Sequence, residues 1–152
     1  DWTIGSEAAD PYTRARVARH GLLALARTEA VYFTRNTDDQ GERLREECRY
    51  RLSGGPMPAQ WWSVTLYDAE SRLPMNDDGA LSVDASRAGE GEWSATIAPT
   101  APPEGLWLSS RHAGRFDLTL RLYMPEALFI EDPAGTLTPP RVERLDCEGG
   151  EA

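Results

Sequence analysis

The chain has 152 residues, 40% of them hydrophobic, with 25 acidic against 16 basic residues and a net charge of −9. That is enough apolar material for one domain with its own core, and too acidic a balance for nucleic acid or an anionic membrane surface as partner. No apolar run reaches the length of a membrane span. Two cysteines without a C-x-x-C motif or Cys/His cluster argue against a zinc site.

The chain begins at Asp1 rather than Met, so something upstream is expected to have been removed, and a signal peptide or membrane anchor is one segment that could be lost that way. Asp10-Pro11 reads as a helix start, with Asp as N-cap and Pro in the first turn. Tyr12, Ala15, Ala18, Leu22, Leu25 and Ala26 then share an apolar arc, so an amphipathic helix is expected over about 11–26. Beyond Thr28 the pattern becomes β. Strands are expected at 30–35, 48–52, 61–67, 81–83, 93–98, 106–109 and 116–123, with turns at 38–41, 68–71 and 76–79. The segments 53–58 and 99–105 are Gly/Pro loops. The proline-bearing tail from about 125 is expected to be an extended cover over the sheet edges. Many short strands at regular spacing, without an internal repeat, predict a single domain over 1–152. Its fold class is mostly β: an antiparallel β-sandwich of jelly-roll type with one N-terminal helix.

Cys48 and Cys147 are either a disulfide or two buried thiols. The disulfide reading is the expectation, and with it an oxidising, extracytoplasmic compartment such as the periplasm or envelope.

Two strand segments have unlike faces. Phe116, Leu118, Leu120 and Leu122 alternate with Asp117, Thr119, Arg121 and Tyr123; Trp62, Val64 and Leu66 alternate with Trp61, Ser63, Thr65 and Tyr67. Alternation puts each set on one side of a sheet. The apolar sets make a core. The other sets hold Trp61, Tyr67, Arg121 and Tyr123, which a solvated face does not require. These four are candidates for a platform that stacks on sugar rings or a flat apolar ligand. The competing reading covers that face with the N-terminal helix, which needs an apolar surface to dock on. Trp93 and Trp107 read as core residues.

Other chemistry has weaker signals. Ser110, His112 and Asp117 lie too close in sequence for a catalytic triad, whose members come from separate elements. His20 and His112 stand outside any metal-ligand pattern. Asn76, Asp77, Asp78 and Asp84 offer oxygen ligands without EF-hand spacing, and Asp-Gly is itself a turn signal. Arg14, Arg16 and Arg19 read as a solvated helix face. No catalytic residue, cofactor or metal follows from the residues.

In order, the segments resemble a bacterial domain-of-unknown-function family, number 1214. The resemblance rests on Glu29-Ala30-Val31-Tyr32, then Trp61-Trp62-Ser63 leading to Tyr67-Asp68, then Asn76, Trp107-Leu108, and Phe116-Asp117-Leu118-Thr119-Leu120-Arg121-Leu122-Tyr123-Met124-Pro125. It implies a β-sandwich in a secreted or membrane-anchored protein and no established activity. The family pattern has a Trp-Leu-Pro run and an Arg soon after the Asn turn. Here Ser109-Ser110-Arg111 follows Trp107-Leu108, and Gly79-Ala80-Leu81 holds no Arg, so a site shared by those positions is altered. Arg111 joins the candidate ligand-binding residues. The expected function is non-catalytic binding of a glycan, another envelope component or a protein, with the membrane reached only through a missing N-terminal segment. A polysaccharide hydrolase or lyase and a purely structural envelope module are the alternatives.

Overall fold

The computed structural model describes residues 2–4 and 30–148. The helix expected over 11–26, with His20, Arg14, Arg16 and Arg19, lies outside the described residues. In chain order the elements are β1 (Thr3–Ile4), β2 (Ala30–Arg35), β3 (Cys48–Gly54), β4 (Ala59–Asp68), β5 (Ser82–Asp84), α1 (Ala85–Ala88), β6 (Trp93–Ala98), β7 (Leu106–Ser109), β8 (Phe116–Pro125), α2 (Ala127–Glu131), α3 (Pro133–Thr136) and β9 (Arg141–Cys147). The chain is mostly β, in two sheets. One runs β1-β2-β8-β4-β5 and the other β7-β6-β3-β9.

The period-two pattern of β8 decides its placement. Phe116, Leu118, Leu120 and Leu122 are fully buried and meet Trp62, Val64 and Leu66 of β4 in register, Leu122 opposite Trp62 and Leu120 opposite Val64. Tyr50 and Leu52 of β3, Ala95 and Ile97 of β6, Leu108 of β7 and Val142 of β9 complete the same hydrophobic cluster from the second sheet. The two sheets therefore share one core. Within it Trp62 stacks on Trp93, with ring centroids 4.7 Å apart. Trp93 also donates its indole N–H to Gly55 O at 3.2 Å. A Cβ on Gly54 would lie 3.0 Å from Trp93 Cζ2, so glycine is what lets the indole lie over the end of β3.

Three expectations need correction. The sheets are not wholly antiparallel: β6 and β7 pair in parallel, Ala95 with Leu106 through Ala98 with Ser109. The tail is not a plain extended cover. It holds two short helices and then β9, which becomes the edge strand of the second sheet by pairing with β3. Phe129 of α2 enters the core against Phe33 at 6.2 Å. Trp107 is only half-buried on edge strand β7, where its N–H reaches Ala98 O at 2.9 Å. Helix α1 went unseen in the sequence; the Asp84 carboxylate caps it, accepting from the N–H groups of Ser86 and Arg87.

Cys48 and Cys147 are register partners on β3 and β9 and form a disulfide. It joins the edge strand to the interior of its sheet.

Candidate functional site

Register places Trp61 beside Tyr123 and Ser63 beside Arg121, with Thr65 beside Thr119 and Tyr67 beside Asp117, all on the outer face of the first sheet. From β2, Tyr32 faces Arg121 and Thr34 faces Thr119. The structure thus brings the four platform candidates onto one face. It does not expose them equally. Trp61 is 39% exposed, whereas Tyr67 and Arg121 are each 8% exposed. Tyr123 is half-buried. The Trp61 and Tyr123 rings lie 5.3 Å apart at a tilt of 55°. An open platform of four is therefore not what the fold presents. It presents one accessible aromatic pair, at the end of the face where β4 begins and β8 ends.

Behind that pair the face is polar and buried. Ser63, Thr65, Asp117, Thr119, Thr34 and Tyr32 all join Arg121 and Tyr67 there. Arg121 Nη1 donates to Thr65 Oγ1 at 3.1 Å, Nη2 donates to the Tyr67 hydroxyl, and the guanidinium lies 5.6 Å from the centroid of the Tyr67 ring. Burial pushes the Tyr32 phenol above its ordinary range, the nearby Tyr123 adds to that, and Arg121 partly opposes it. Tyr32 is a neutral phenol at physiological pH.

Arg111 lies elsewhere, among the loops joining the strands. Its Nε reaches Asp78 Oδ2 at 3.0 Å and its Nη2 reaches Asp78 Oδ1 at 2.8 Å, with Asp77 Oδ1 at 3.0 Å. Ser109 donates its hydroxyl to Asp78 at 2.6 Å, and Asn76 donates its amide to Arg111 O at 2.7 Å. The arginine missing after the Asn turn in sequence is thus supplied to that turn in space, by the loop after β7. The Arg111 fork, then the Ser109 hydroxyl, hold the Asp78 carboxyl below the usual carboxylate range. Glu46 accepts from the N–H groups of His112 and Gly114, at 3.0 and 3.1 Å, and ties a third loop to this cluster. With Nε and Nη2 both engaged by the carboxylates of Asp77 and Asp78, Arg111 acts as a loop clamp. Asn76 Oδ1 accepts from Asp78 N–H at 3.1 Å, which is a turn contact.

Two shallow grooves flank Trp93. One, of about 540 Å³, is bounded by Ser53, Gly54, Glu92 and Arg141; the other, of about 510 Å³, by Met57, Gln60, Trp62 and Glu90. Each has a single carboxylate. A smaller hollow of about 220 Å³ holds Asp39, Glu143 and Asp146. There Asp39 is bound by Arg35 at 2.9 Å and Arg141 at 3.3 Å, Glu143 by Arg51 at 3.3 Å, and Asp146 by Arg49. Burial alone would raise Asp39, but the Val142 N–H and the two arginines outweigh it and hold the carboxyl low; Arg49 does the same to Asp146. A general acid needs the opposite displacement. Among the described residues no group of three or more His, Cys, Asp or Glu is placed to hold a metal. Nor is any described helix long and apolar enough to cross a membrane.

A family model described as "Protein of unknown function (DUF1214)" matches residues 29–127, from β2 to the start of α2. The crystal structure of the VPA0106 protein from Vibrio parahaemolyticus is similar, with a TM-score of 0.68 and 18% identity over 88% of this chain and 35% of that one. A crystal structure of an uncharacterised protein from Burkholderia cenocepacia gives a TM-score of 0.47 and 17% identity, over 97% of this chain and 46% of that one. The chain therefore spans about a third of the first and less than half of the second. At this identity the likeness to VPA0106 is one of fold alone. No curated protein matches the chain.

Proposed function

The chain belongs to the DUF1214 family, and on that premise we propose that it is a non-catalytic, envelope-associated binding domain whose ligand is a glycan or glycan-bearing envelope component. Its two sheets are read as a single sandwich domain of jelly-roll type. The observation that carries the binding role is Trp61, which is 39% exposed and set against Tyr123. A large aromatic left accessible beside a second ring on a rigid sheet is the arrangement that stacks on the apolar face of a sugar. The Cys48–Cys147 disulfide supports an oxidising, extracytoplasmic location.

A panel of envelope polysaccharides, titrated into the chain by calorimetry, tests this reading. Binding that Trp61→Ala abolishes supports it. Failure of the whole panel, or binding indifferent to Trp61→Ala, sinks it.

A further inference from the structure

The two sulfurs of the Cys48–Cys147 bond stand in unequal surroundings. Cys48 is fully buried in the core cluster, whereas Cys147, at the end of edge strand β9, is only partly buried. Arg45 lies against both. Its Nε donates to Cys48 Sγ at 3.3 Å, and its Nη2 lies 4.0 Å from Cys147 Sγ. The local backbone fixes it there. Cys48 N–H donates to Arg45 O at 3.2 Å, and Arg45 N–H donates to the hydroxyl of fully buried Tyr50 at 3.1 Å.

A disulfide sulfur is a weak acceptor, so the Arg45 contact adds little to the intact bond. A thiolate is a strong one, and a guanidinium N–H holds it by a charge-assisted hydrogen bond. The contact therefore strengthens as the bond breaks with charge on Cys48. Thiol exchange is fast where the attacked sulfur is accessible and the leaving sulfur carries its charge easily. Attack on Cys147 with Cys48 as the leaving group meets both conditions. Attack in the other sense has to reach a fully buried sulfur. The cut would also be local. The first half of β9 is held apart from the bond, by Val142 in the core and by Asp39, whose N–H donates to Val142 O at 2.8 Å. The register shift between Arg49 and Tyr50 sets off the strand end, where Arg49 pairs with Asp146 and Cys48 with Cys147.

We infer that the Cys48–Cys147 bond is a site of thiol–disulfide exchange with an external dithiol, with Cys147 as the attacked sulfur and Arg45 holding the Cys48 thiolate that leaves. The dithiol's first thiolate forms a bond to Cys147 Sγ. The Cys48–Cys147 bond breaks, and its electron pair goes to Cys48 Sγ. The dithiol's second thiolate then attacks its own partner sulfur in this mixed disulfide and releases Cys147 as a thiolate. The dithiol ends oxidised to a disulfide, two electrons having passed to the chain, and solvent carries the protons. The product is a folded chain with the end of β9 released. This site is independent of the ligand that the outer face takes.

The test uses the full oxidised chain at neutral pH, with exchange stopped in acid and the thiols counted by mass. Dithiothreitol should reduce the native chain without urea. Excess glutathione, stopped early and peptide-mapped, should leave its adduct on Cys147. Arg45→Met should slow reduction by dithiothreitol about fivefold, and Arg45→Lys, which keeps the charge, should fall between it and wild type. A loosened strand would be reduced faster, so slowing separates loss of the Arg45 contact from loss of stability. Arg49→Met removes the neighbouring ion pair with Asp146 and should not slow the reaction. Should Arg45→Met fail to fold, the adduct position in the wild-type chain decides. The inference is overturned if the adduct forms on Cys48, if Arg45→Met is reduced as fast as wild type or faster, or if the bond yields to dithiothreitol only in denaturing urea.

Discussion

Reducing the Cys48–Cys147 bond changes no residue, so its effect on stability isolates the cross-link. The bond closes a loop of 99 residues in sequence separation. In the chain-entropy model a loop of that size contributes about 4.7 kcal/mol by restricting the unfolded chain. For a protein of this length, each kcal/mol moves the Tm by about 2–4 °C, so reduction should lower it by about 10–20 °C. Location adds a local signature. Cys147 ends β9, an edge strand held on one side only, and the β3–β9 register shifts just past the bond, between Arg49 and Tyr50. Freed of its anchor, β9 should fray first. Calorimetry of the oxidised and reduced chain, with hydrogen exchange on 141–147, makes the check. A Tm change of less than about 3 °C would refute the entropic argument. Two free thiols by mass without reductant would refute the bond itself.

The remaining predictions concern the core and the loop clamp. Leu120 is fully buried between Phe33 and Val64, so Leu120→Ala should cost about 2–5 kcal/mol in urea unfolding. Gly54→Ala should cost about 1–3 kcal/mol, because Trp93 is stacked on Trp62 and cannot retreat from the new Cβ. Asp78, held low by Arg111 and Ser109, contributes stability above the unfolded carboxyl value of about 4 and loses it as pH falls through the lower folded value. Asp78→Asn should therefore be less stable than wild type at neutral pH, and the difference should shrink in acid. A Tm gap that stays constant from pH 7 to pH 2 contradicts this.

The inner faces of β4 and β8 were legible because alternation over a long strand has one physical meaning when every second residue is apolar. The 30–35, 93–98 and 106–109 strands were legible for the same reason and coincide with β2, β6 and β7. The outer face was harder. Its residues could be identified, but Tyr67 and Arg121 are buried and Trp61 is exposed, a difference that depends on cover and not on residue type. The disulfide could be anticipated from cysteine count, yet the pairing of β9 with β3 could not, since prolines in the tail masked a strand that starts only after Pro140. The parallel β6–β7 pair was hidden by the short 99–105 connection, since parallel neighbours ordinarily need a longer crossover. The role of Arg111 depended on a contact across 33 residues, to Asp78, which local pattern does not encode.

The account turns on whether the outer face of the first sheet is where this chain meets its ligand. Calorimetric titration of an envelope polysaccharide into wild type and Trp61→Ala is the most direct measurement. The prediction is saturable binding to the wild-type chain and its loss in the variant, with the unfolding transition otherwise preserved. Equal affinity in both chains would place binding elsewhere and contradict the account.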